Sequence, residues 1–88
     1  MADPVLVDID PINTWQKVAT AITTGNFINK ESQDQLLFTY KETGNPAPTG
    51  VAIGRRLAID EEVVFNHSAA ADFYFYAKNK VAVVEVQI

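Results

Sequence analysis

The chain has 88 residues, of which 48% are hydrophobic and 20% charged, with a net charge of −4 and no cysteine. That length accommodates one domain, and the apolar fraction lies far above that of a disordered chain. The composition excludes disulfide and thiolate chemistry and argues against nucleic acid as a partner. No apolar run approaches the ~18 residues of a membrane span, and the acidic start lacks the basic flank of a secretory signal, so neither a membrane nor secretion is expected.

In chain order, the first element is a short strand in which Val5, Val7 and Ile9 alternate with Leu6 and Asp8, bracketed by Pro4 and Pro11. Proline cannot donate to a ladder, so residues 1–13 read as an edge strand or an exchangeable arm, ahead of a single β-sandwich domain over 14–88. Segments 15–22 and 26–29 read as two strands around Thr24-Gly25. Segment 35–41 reads as a strand with Leu36, Phe38 and Tyr40 on one face. Its helical alternative has a capping box from Ser32 to Gln35 and a Leu36/Tyr40 pair; Phe38 and Thr39 favour the strand. Two prolines and two glycines make 42–50 a loop. Short strands are expected at 57–59, where Leu57 and Ile59 share a face, and at 62–66, where Val63 and Phe65 do.

At the C-terminal end, 72–78 and 81–88 flank Asn79-Lys80 and read as a hairpin, because Asn tolerates the positive φ of a two-residue turn. That register sets Ala77 against Ala82, Phe75 against Val84 and Phe73 against Val86, all apolar, with Tyr74 and Tyr76 on the opposite face. The Phe/Val face is expected to form the centre of the core. About seven short antiparallel strands with regular turn punctuation predict an all-β, compact β-sandwich of jelly-roll or Ig-like type.

Chemistry-bearing clusters are few. Asp8 and Asp10, with Asp60, Glu61 and Glu62, could offer oxygen ligands to a hard cation, but the spacing matches no calcium loop, and no metal or other cofactor is expected. His67 is the single histidine, and Ser68 beside it would point the other way in a strand, which disfavours a nucleophilic pair. No catalytic residues are assigned and the protein is read as a non-enzyme. The second apolar face of the hairpin, in a chain too short to cover both faces, marks Tyr74 and Tyr76 as an interaction surface, with Arg55 and Arg56 near its rim. The alternative is a small carbohydrate-binding module stacking sugars on Trp15, Tyr74 or Tyr76.

Trp15-Gln-Lys-Val-Ala-Thr, then Tyr40-Lys-Glu-Thr-Gly-Asn-Pro-Ala-Pro-Thr49, then the final aromatic hairpin resemble small accessory proteins of tailed bacteriophage and prophage virions. The resemblance spans roughly residues 15–88. It implies a structural subunit associated with the head, neck or tail, present in the virion and in the host cytoplasm during assembly, that self-associates or binds other virion proteins. It carries over no site residues.

Overall fold

A computed structural model of the chain describes residues 3–30, 36–50 and 53–88. The protein is all-β: β1 (Val5–Ile9), β2 (Trp15–Asn29), β3 (Leu36–Glu42), β4 (Arg55–Leu57), β5 (Glu62–Ala77) and β6 (Ala82–Gln87). They form one antiparallel sheet in the order β1-β6-β2-β5-β3-β4. No described helix is long and apolar enough to cross a membrane.

The eight segments read as short strands become six strands among the described residues, because two pairs of them are fused. Thr24-Gly25 is not a turn. Gly25 sits mid-strand, where an added Cβ would lie 3.2 Å from the Ile22 side chain, so its smallness serves close packing. Likewise 62–66 and 72–78 belong to one strand, β5. Of the two strands placed upstream of the C-terminal pair, 57–59 is displaced to Arg55–Leu57, and Ile59 lies outside it, exposed. Segment 36–42 is a strand with Leu36 and Phe38 buried. The alternative helix start at Ser32 and Gln35 lies outside the described residues.

The two long strands are bent by register shifts. Between Ile22 and Thr24, β2 advances two residues while β5 runs from Ala71 to Asn66, which leaves 67–70 unpaired with β2. Ala21 takes a φ of 53°, a backbone state that costs a non-glycine residue energy and marks a bulge in β2. These shifts curl the sheet until its concave face closes on itself. Phe27 shows this: its register partner on β5 is Val63, yet its ring stacks on Phe73 at 4.4 Å and meets Phe75 at 5.5 Å. Ten residues of extended strand would span roughly 33 Å, so only a folded sheet brings those rings together. Asn29 closes the same fold at another point. It is buried, and its Nδ2 donates to the Leu57 carbonyl across the core (2.9 Å).

The C-terminal hairpin is corrected. Both strands exist, and Asn79 has the positive φ expected of it (68°), but β5 and β6 do not pair. β6 lies between β1 and β2, so Val84 is opposite Val7 and Asn29, and Val86 opposite Val5 and Phe27. Phe73, Phe75, Val84 and Val86 are all buried in one core, as expected, but belong to different parts of the curled sheet. Matched apolar faces arise equally between neighbours in a ladder and between surfaces packed face to face, so the pattern alone could not separate the two. The link 78–81 is an arch, strapped by Asn13, whose N–H donates to the Ala77 carbonyl (2.7 Å) and whose Oδ1 accepts from the Asn79 N–H (3.2 Å). β1 is an edge strand of this sheet, laid on the chain's own β6 and not a free arm.

Candidate functional site

Of the residues expected to form a contact surface, Tyr74 and Tyr76 sit on the convex face of β5, and Arg55 and Arg56 on β4. Trp15, Tyr76, Leu37 and Arg56 form one row across β2, β5, β3 and β4; Lys17, Tyr74 and Thr39 form the next. The structure therefore does bring Tyr76 and Arg56 onto one face, two strands apart. Arg55 takes the opposite direction, in register with Phe38.

Tyr74 is not available as a contact residue. It is only 4% exposed, although it points away from the core. Gly50 and Gly54, on the segments that follow β3 and precede β4, lie against this face. Pro48 is buried, the Trp15 indole Nε1 donates to the Gly50 carbonyl (3.1 Å), and Gly54 sits so close that a Cβ there would lie 3.0 Å from Leu37 and from the Trp15 ring. Lys17 Nζ adds a cation 5.8 Å from the Tyr74 ring centroid. Tyr76 is half-buried against Trp15, ring centroids 5.3 Å apart. A loop of the chain itself covers the face thought to need a partner. For the same reason Trp15, Tyr74 and Tyr76 do not make an open platform for a sugar.

The acidic clusters are kept apart. Asp8 lies on β1, whereas Asp60, Glu61 and Glu62 sit where the chain turns from β4 into β5, with Glu61 Oε1 accepting from the Ala58 N–H (2.8 Å). Among the described residues no three carboxylate or imidazole groups gather as metal ligands. His67 is exposed and lies flat on Phe65 (4.6 Å, 11°), beside an exposed Ser68.

One charged residue missed on the sequence is structurally central. Asp72 is 4% exposed; its Oδ1 accepts from the Ala21 N–H (2.8 Å) and the Thr43 hydroxyl (3.1 Å), and its Oδ2 lies 3.5 Å from Lys17 Nζ. The Ala21 N–H bond is the largest influence and holds the carboxyl below its ordinary value, against burial, with Thr43 and Lys17 adding to the lowering. The signal was present: Asp72 is the one charged residue between Glu62 and Lys78.

The surface left open is the free edge of β1. Successive residues of an antiparallel strand turn their backbone N–H and C=O groups to alternate sides. The Lys30 N–H donates to the Val83 carbonyl (2.9 Å), so Val83 and Glu85 address β2, while Ala82, Val84 and Val86 address β1. Their partners Ile9, Val7 and Val5 use their backbone groups on β6. The N–H and C=O of Leu6 and Asp8 therefore face outward, along an edge where Val5 is 59% and Leu6 64% exposed. Beside it runs a groove of about 270 Å³ lined by Asp3, Val5, Val7, Val18, Val86 and Ile88. No family model matches this chain, and neither a curated protein nor a solved structure was found that does.

Proposed function

We propose that the protein is a non-enzymatic structural subunit that self-associates through the open edge of β1. What supports this reading is the window of outward backbone groups at Leu6 and Asp8, set between Pro4 and Pro11 and flanked by exposed Val5 and Leu6. An open edge is a template for a further strand, and natural sheets blunt it with short length, charge, proline or a bulge. β1 carries one charge, Asp8, and its two prolines stand outside the window of Leu6 and Asp8.

The window is self-complementary. In an antiparallel pair of β1 strands with its two-fold axis at Val7, Leu6 exchanges hydrogen bonds with Asp8 of the second copy, and Asp8 with Leu6. Shifting the axis to Leu6 brings Asp8 against Pro4, which has no N–H to give. Shifting it to Asp8 sets two like charges opposite each other. The central register avoids both penalties and is an isologous contact. A strand this short buries little area, so the contact is weak alone and gains strength in an array, as a virion accessory subunit requires.

Sedimentation equilibrium tests the reading. The wild-type chain should dimerise in the range of roughly 10–500 µM. Leu6→Pro removes an outward N–H that β6 does not use, and should weaken dimerisation about tenfold or more while the chain stays folded. A wild-type chain that remains monomeric throughout that range overturns the proposal.

A further inference from the structure

We infer that the recess at the outer corner of the aromatic core binds a compact alkylammonium group. Four rings meet there as two parallel pairs set across one another. Tyr40 stacks on Phe73 (5.2 Å, 23°) and His67 on Phe65 (4.6 Å, 11°), while Tyr40 and His67 stand 71° apart with centroids at 5.6 Å. Phe73 and Phe65 are buried and back the two outer rings; Tyr40 is 44% exposed and His67 is exposed. Two aromatic walls thus meet near a right angle, each rigidly supported from behind.

The floor comes from the same irregularity that bends the sheet, and the charge from the end of β3. Residues 67–70 have no partner on β2, and the recess of about 240 Å³ between them and the end of β3 is lined by Tyr40, Glu42, His67, Ala69, Ala70 and Ala71. Three alanines in succession leave the space empty where larger side chains would fill it. The Thr43 N–H donates to the Ala70 carbonyl (3.0 Å), which ties the floor to β3. Glu42 is the one charged residue of the lining, and it is exposed. Lys41, its neighbour, alternates to the other face of β3, in register with Asp72.

Aromatic faces attract a cation through the ring quadrupole, and a carboxylate on the open side adds Coulomb attraction. An anion would meet Glu42, and a neutral guest would draw on neither effect. The recess therefore selects a cation small enough for its volume. Such a group can come from a free quaternary amine or from a methylated lysine on another chain.

Chemical-shift titration of the intact chain tests this with three probes: choline, its uncharged isostere 3,3-dimethylbutanol, and a short peptide carrying trimethyl-lysine. Choline should shift the signals of Tyr40, His67 and Ala69 to Ala71 with millimolar affinity. It should bind about three- to fivefold more tightly than the isostere, the margin expected of a cation–π contact at an exposed site. Glu42→Gln, which leaves every ring in place, should lose about twofold or more for choline and nothing for the isostere. If the peptide binds more tightly than choline, the group arrives on a protein chain; if choline equals or exceeds it, the free amine is the guest, and the site stands in both cases. Equal response to choline and the isostere overturns the assignment. So do shifts confined to other residues, or a response to N-acetylglucosamine in the absence of one to choline.

Discussion

At the scale of single residues, Asp72 supports the bend of the sheet. Ala21 adopts a left-handed backbone conformation in mid-strand, and the bulge it makes leaves its N–H outside the ladder. An N–H withdrawn from the ladder needs another acceptor, and the buried Asp72 carboxylate supplies it while drawing in Thr43 and Lys17. The sign of the pH dependence follows. Because the folded carboxyl titrates below its ordinary value of 3.8, the unfolded chain binds the proton more readily. The stabilisation is complete above that value and is lost as pH falls below it toward the folded pKa. Thermal melting from pH 7 to pH 2 should show a decline below about pH 4 that is shallower in Asp72→Asn than in wild type, with the variant melting lower at pH 7. Identical pH profiles for the two chains would refute this role.

At the scale of elements, the two edges of the sheet differ. β4 is three residues long and starts with two arginines, a short charged edge that offers little to a further strand. β1 is longer, apolar and open. The direction of its backbone groups makes a contrast between adjacent substitutions. Proline at Leu6 removes an N–H that faces solvent; proline at Val7 removes one that β6 receives at Val84. Val7→Pro should therefore destabilise the fold by about 1–3 kcal/mol in chemical denaturation, and Leu6→Pro by well under that. A larger loss for Leu6→Pro than for Val7→Pro would mean that the alternation along β1 is the reverse of the one described, and equal losses would mean that the ladder bond at Val7 does not set the difference.

At the scale of the whole molecule, net charge sets how copies meet. Each chain carries −4, and Asp3, Asp8 and Asp10 cluster in a segment, residues 3–13, that holds no lysine or arginine. Pairing two such edges concentrates like charge, so association should tighten with added salt. Raising sodium chloride from about 0.05 to 0.5 M should lower the dimer dissociation constant roughly threefold or more, as the Debye length contracts from ~14 to ~4 Å. Weakening with salt in the same measurement would mean that opposite charges, and not these carboxylates alone, meet across the contact.

The all-β character and the inward faces of most segments were legible in the sequence, because alternation of apolar residues is a local signal; that 15–22 with 26–29, and 62–66 with 72–78, are each one strand was not. Phe73, Phe75, Val84 and Val86 could be assigned to the core for the same reason. Which strands are neighbours was decided only in three dimensions, since an apolar face is satisfied equally by an adjacent strand or by an opposing surface; β2 took the place beside β6 that the hairpin reading gave to β5. The cover over Tyr74 was equally out of reach, because a loop of prolines and glycines shows where regular structure stops and not where the chain then lies. The corner of Tyr40 and His67 depends on the unpaired stretch 67–70, whose origin is a mismatch in length between two strands distant in sequence. Local chemistry chose the elements, and the long-range balance of burial and hydrogen bonding chose their arrangement.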